Sequence, residues 1–411
     1  MTAATLPSPT AWQAPATGAV RGVGRFFLAL AAFLGAFVIE EPAPYELLLV
    51  AMMGVWLLFG LRLDRFAIAL AGLFVLFNVG GLGSMLTMDD PTGIPLYLAV
   101  SLFLGFTSVF WCAIVTADMG RLRLVMRAYA VGATITAALG VLGYFNVFAG
   151  FEVFTRYDRA KGAFQDPNVF GPFLVLPMLY LLNGLLTRSD GATPFRAAML
   201  AVMLLGLFLS FSRAAWGLLI LSGAAYYAIT LATASDPRTR LRMVLLGLAG
   251  LLGALAMLAV ALQIDAVAQM FEQRAGIQEY DSAHDGRFAR HLVGFGWALQ
   301  HPLGIGPLEF GKRLGEDTHN IWLKALMAYG WLGFFTWVSL VVVTLVAGWR
   351  LLGRVRPWQT ILVCLYAAFV GHLVIGWVID VDHWRHVYMI IGLIWGCMAL
   401  EARYGRGRQQ E

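Results

Sequence analysis

Charge is what this chain has least of. Only 13% of its 411 residues are Asp, Glu, Lys or Arg, against 60% that are hydrophobic. That balance alone would also fit a large buried core. The apolar runs, however, are about 15–25 residues long, recur along the chain and do not alternate faces as soluble helices do. Cysteine is equally scarce. Cys112, Cys364 and Cys397 all fall inside apolar runs, which leaves no disulfide framework and makes them small buried residues. No internal repeat relates the two unlike halves. The net charge of +5 is scattered rather than gathered on one face, which excludes a nucleic-acid footprint. Glycine-rich pieces such as Gly80-Gly81-Leu82-Gly83 lack the strand–helix context of a nucleotide loop and read as helix-packing or turn features.

What is present is the pattern of an all-α, polytopic integral membrane protein. Twelve transmembrane helices are predicted, roughly 26–40, 46–61, 66–86, 94–117, 124–150, 168–187, 196–212, 213–232, 242–263, 322–349, 357–379 and 386–402. Arginine provides an independent check, since basic residues accumulate on cytoplasmic connections. With an even count and a cytoplasmic N-terminus, each inside connection carries two or three arginines, such as Arg121, Arg123 and Arg127, or Arg350, Arg354 and Arg356. The first two outside hairpins, Glu40 to Glu46 and Thr87 to Gly93, carry none and are acidic. Both termini are therefore expected in the cytoplasm. Residues 1–20, rich in Ala, Thr and Pro, read as a disordered cytoplasmic tail with no cleavable signal, and 21–411 as one transmembrane domain.

One long polar segment, 264–318, breaks the apolar pattern and is expected as an extracytoplasmic loop forming the lid and wall of an active site. Val267 to Ala275 and Gly286 to Gln300 have helical character, whereas Pro302, Gly304, Gly306 and Pro307 force irregular backbone. Such backbone is tolerated beside a membrane where it lines a water-filled cavity.

The candidate chemistry lies at this same face. Arg213 stands between apolar residues at a span junction, where an arginine either snorkels to the interface or meets an anion. Arg287, Arg290 and His291 follow Asp285 and share one helical face by i, i+3, i+4 spacing, either as a solvated face or as part of a site. His319 opens the helix that re-enters the membrane, flanked by Asp317 and Asn320. It is either a structural hydrogen-bonder or a general base with orienting partners. Arg156, Arg159 and Lys161, ahead of Asn168, place three cations on an outer loop against the positive-inside bias, to bind an anionic group or simply to face water. Asp380, Asp382, His383, Arg385 and His386 form a last outer cluster that reads as capping and anchoring. The histidines lack close ligand spacing and no cysteine joins them, so no metal site is expected.

These segments in their order resemble the O-antigen ligase and polymerase superfamily of bacterial envelope glycan enzymes. The resemblance rests on Lys161-Gly162-Ala163-Phe164-Gln165-Asp166-Pro167-Asn168, Ser212-Arg213-Ala214-Ala215-Trp216 and Asp285-Gly286-Arg287. It continues through His301-Pro302-Leu303-Gly304-Ile305-Gly306 and Thr318-His319-Asn320, across roughly residues 160–400. Ala214 stands where the family often has glycine. The resemblance implies a GT-C-like helical fold and a metal-independent, inverting glycosyltransferase without a cofactor. Its donor would be a polyprenyl-diphosphate-linked glycan and its acceptor a glycan or lipid A–core hydroxyl. Arg213 and Arg287 would bind the diphosphate and His319 would activate the acceptor, on the periplasmic face of a bacterial inner membrane. Arg156, Arg159, Lys161, Asn168, Asp285, Arg290 and Asn320 complete the expected substrate-binding set. Ligase and polymerase are not distinguished by these motifs. A transporter or lipid-glycan flippase is the alternative, although transporters place polar groups at midplane on broken helices.

Overall fold

A chain with few charges, whose backbone must be satisfied without water, can cross a bilayer as helices. The computed structural model describes residues 18–59, 63–187, 191–234, 236–276 and 286–407, without the side chains of 239, 406 and 407. A helix stands at each of the twelve predicted positions. The first nine are α1 (Gly18–Leu34), α2 (Pro44–Leu58), α3 (Arg65–Met85), α4 (Ile94–Ala117), α5 (Met119–Tyr144), α6 (Pro167–Thr187), α7 (Thr193–Leu209), α8 (Arg213–Thr233) and α9 (Pro237–Ala261). The loop helices are α10 (Asp265–Ala275), α11 (Arg287–Gln300) and α12 (Glu309–Leu314), and the chain ends with α13 (Ile321–Leu352), α14 (Gln359–Ile375) and α15 (Arg385–Gly407). Among the described residues, eight helices are long and apolar enough to cross a membrane, and α2, α7 and α14 are shorter apolar helices. The protein is a multi-pass membrane protein.

The ends differ from expectation for local reasons. Helix α1 begins at Gly18, so the last residues assigned to the tail are helical. Helix α5 stops at Tyr144 rather than near 150, because Asn146 takes a left-handed φ of 47°. Two-residue strands β1 (Thr155–Arg156) and β2 (Arg159–Ala160) pair antiparallel across Tyr157 and Asp158, both at positive φ, a small departure from an all-α reading.

The bundle centres on α15 against α4, α3 against α13 and α14 against α8. Gly80 fulfils its expected packing role: a Cβ there would meet Tyr329 O at 2.4 Å and Gly333 N at 2.7 Å. Helix α13 is broken at Gly330, with φ 64° and ψ −171°, a region reserved essentially for glycine. The irregular stretch after α11 fills that break. Trp331 N donates to Pro302 O (2.8 Å), and Ile305 N and Gly306 N donate to Met327 O (2.8 and 3.2 Å). The Trp331 indole Nε1 donates to Ala298 O (2.9 Å), fixing the end of α11 beside the break. The loop that the sequence marks as irregular thus satisfies the backbone groups that α13 releases.

Candidate functional site

Five segments converge on one cavity of about 730 Å³: the β1–β2 hairpin with the start of α6, the α7–α8 junction, the facing ends of α10 and α11, the Thr318–Asn320 turn, and the loop from α14 to α15. The α7–α8 junction is sharp. Phe211 takes a φ of 45° and Ser212 caps α8, its Oγ accepting from Ala215 N (3.4 Å). Arg213 therefore opens α8 at the cavity wall, where its Nη1 donates to Gly276 O at the end of α10 (2.9 Å). Arg287 opens α11 in the same way, reaching across to donate from Nη1 to Val378 O (3.2 Å). Arg159 is buried and donates to Ser210 O (2.7 Å) and to Asn168 Oδ1 (2.8 Å). Arg274, from the last turn of α10, makes a fourth lining guanidinium. Four cations at one cavity suit a polyanion, because guanidinium remains charged and presents a planar fork of donors. Val169, Leu221, Val374, Ile375 and Val378 give the same cavity an apolar wall.

His319 lines the cavity with a left-handed φ of 46°, a conformation that costs energy unless its surroundings enforce it. Asp380 enforces it. Its Oδ1 accepts from Thr318 Oγ1 (3.0 Å) and Asn320 N (2.9 Å), and its Oδ2 accepts from His319 N (3.2 Å). Behind it Lys324 Nζ is buried among three carboxylates, 2.8 Å from Asp317, 3.5 Å from Asp380 and 3.6 Å from Asp382. Tyr97 and His383 also bond Asp382. Burial raises the Asp380 carboxyl against the pull of Lys324. Burial presses Asp382 upward too, but Lys324 and His383 outweigh it and hold that carboxyl well below its ordinary range. Among the described residues, none hydrogen-bonds the His319 imidazole.

The structure thus brings together Arg159, Asn168, Arg213, Arg287 and His319 of the expected set. Others are engaged elsewhere. Arg156 is exposed, donates to Gln165 O (3.0 Å) and lies over the Tyr157 ring. Lys161 donates to Phe164 O (2.8 Å). Arg290 pairs with Glu316 (2.9 Å), and Asn320 caps α13 by accepting from Trp322 N and Leu323 N (both 3.0 Å). Asp285 lies outside the described residues. Nor do Asp317 and Asn320 orient the His319 ring: the first is drawn to Lys324 and the second to the helix end. Arg274 and Asp380 are site residues that the candidate set missed. Lys324 carries the signal that points to this turn, because an ionisable residue inside an apolar span marks a site by default.

His291, on the inward face of α11, ties the lid to this turn through Nε2, which donates to Thr318 O (2.7 Å). A carbonyl only accepts, so the neutral ring carries its proton on Nε2. Burial lowers the pKa of His291 below 6.5, with Arg287 contributing and the Thr318 bond opposing. The folded state therefore favours the neutral ring, and this stabilisation is complete above pH 6.5 and erodes as pH falls and the unfolded chain takes up the proton first. Between pH 7 and 5 the thermal midpoint of the wild type should fall more steeply than that of His291→Gln. Parallel curves would remove His291 from the balance.

Residues 198–338 match the family model described as O-antigen ligase. Among curated proteins, no match to the chain is found. The matched segment holds Arg213, Arg274, Arg287 and His319, three loop helices and the break in α13 at Gly330. Over residues 198–338, about a third of its length, this multi-pass membrane protein is thus similar to the O-antigen ligase family.

Proposed function

We propose that this protein transfers a glycan from a polyprenyl diphosphate to an acceptor hydroxyl, with inversion and without a metal, at the periplasmic face of a bacterial inner membrane. The observation that carries the reading is the meeting of Arg159, Arg213, Arg274, Arg287 and His319 at one cavity with an apolar wall. The diphosphate lies among the guanidinium groups and the prenyl chain follows the apolar wall into the bilayer. His319 takes the proton from the acceptor hydroxyl. The oxygen attacks the anomeric carbon from the face opposite the diphosphate, and the glycosidic C–O bond breaks with its electron pair leaving on the diphosphate. Fixed cations at a partly dry site stabilise that developing charge more than water does. The arginine distribution supports this orientation: were all twelve apolar helices to cross the bilayer with both termini cytoplasmic, the cavity would lie outside.

Replacing Arg213 or Arg287 with alanine is expected to slow transfer by about 10²–10³-fold. Lysine at either position should restore only part of the rate, since it keeps the charge and loses the fork. Purified enzyme with a lipid-linked donor is the assay. Unchanged transfer in Arg287→Ala removes the clamp, and loss in chelator restored by a divalent ion overturns the metal-free reaction. Surface glycans of a deletion strain separate the acceptor classes: chains stalled at one repeat unit indicate a polymerase, and full-length chains left on the carrier indicate a ligase.

A further inference from the structure

Helix α11 is built inside out for a loop in water. His291, Gly294 and Ala298 are buried, and a Cβ at Gly294 would meet Leu323 and Phe310 side chains at 2.7 and 2.8 Å. Arg287 and Arg290 turn inward to the cavity and to Glu316. The opposite face carries Phe288, Leu292 and Leu299, which recur at helical spacing, with Val293 beside them. Leu292 is 76% exposed and Leu299 75%. Water disfavours such a face.

We propose that this face of α11 lies in the outer leaflet of the bilayer, making the lid an interfacial helix. The level of the membrane follows from α13. From Trp331 to Arg350 that helix is about 30 Å long at 1.5 Å per residue, the thickness of a hydrocarbon core of about 30 Å. Arg350 marks one boundary, so the break at Gly330 marks the other. The end of α11 is fixed there by the Trp331–Ala298 and Trp331–Pro302 bonds. Below the break the exposed side chains of α13, Trp331, Leu332, Phe335 and Val342, face lipid. The apolar stripe of α11 continues that surface at its upper edge. Tryptophan at the break matches the amphipathic belt found at such interfaces. Interfacial helices sink their apolar face about 5–10 Å into the headgroup boundary, a depth a leucine side chain can use without drawing Arg287 and Arg290 out of water. The level rests on α13 spanning a bilayer, and the consequence rests on the function proposed above: the lid that presents Arg287 is held by lipid.

The test is a depth measurement on the full chain in lipid nanodiscs. Nitroxide is attached to Leu292→Cys and Leu299→Cys, with Val293→Cys as a second choice should either fail to fold, and with exposed Lys312→Cys as the aqueous reference. The native Cys112, Cys364 and Cys397 are buried. Expected at 292 and 299 is a rise in collisions with oxygen and a fall in collisions with a polar nickel chelate, relative to 312. Collision rates matching those at 312 place the helix in water and overturn the proposal. Low rates for both agents show a covering polypeptide, a second copy or another protein, and overturn it equally. Because no transfer is assayed, an inactive enzyme with a lipid-embedded helix refutes only the proposed function, and an active one with a watery helix refutes only this inference.

Discussion

With asparagine at 319 the protein folds and binds its donor, but transfers about 10²–10⁴-fold more slowly, the usual contribution of a positioned general base. Asparagine is the informative substitution because it tolerates the left-handed φ of 46° at this position. Alanine removes the base and adds backbone strain at once. Both variants should be slowed to at least that extent, and only His319→Ala should also lose thermal stability. The turn itself is retained in His319→Asn, because Asp380 holds it through backbone N–H groups and Thr318 Oγ1. Single-turnover transfer with a lipid-linked donor is the readout. A rate within twofold or so of wild type in His319→Asn would leave the imidazole without a role.

The second large effect is expected at Gly330, far from any reacting atom. Alanine there must adopt a conformation that costs non-glycine residues about 1–3 kcal/mol. Its Cβ would also stand 2.6 Å from both C and O of Leu303. Backbone cannot yield as a side chain can, so the Pro302–Gly306 loop is pushed from the break and its hydrogen bonds with Met327 and Trp331 are lost. The end of α11 goes with it. Gly330→Ala should therefore lower the thermal midpoint in detergent and abolish transfer together. Gly253→Ala on α9 is the matched control, because a Cβ there meets nothing within 4 Å and alanine is the better helix former. Equal midpoints for the two variants would mean that the break does not hold the lid.

Much of this was legible in the sequence, for reasons that differ by residue. The helices were legible because a charge-poor run has few alternatives in lipid. Arg213 stood out as an isolated charge at a span junction, where an arginine asks for an anion. Arg287 and Arg290 could not be separated, since i and i+3 share a face; the choice is made by Glu316, which lies 26 positions beyond Arg290 and claims it. From its neighbours in the sequence Asp380 reads only as a capping and anchoring group in an outer cluster. It does cap, but the turn it caps lies 60–62 residues away, and nothing local in either segment announces the pairing. Asn320 and Asp317 misled for the opposite reason: adjacency to His319 suggested partnership, whereas helix capping and the Lys324 charge have the stronger claims. Lys324 was in plain view and was hidden by its surroundings, one cation in a run read as apolar.

The break in α13 has a further consequence. The lid and the His319 turn hang from a point whose height is set by the helix below it, the stretch of about 30 Å from Trp331 to Arg350. That stretch acts as a ruler against the bilayer. A membrane a few Å thicker or thinner forces such a segment to tilt or the lipid to deform, each at a modest energetic cost. Here the deformation is carried straight to Pro302, Ile305 and Trp331, and from them to the helix bearing Arg287. Turnover in this protein should therefore depend on acyl-chain length as well as on substrate, with an optimum where ruler and membrane agree.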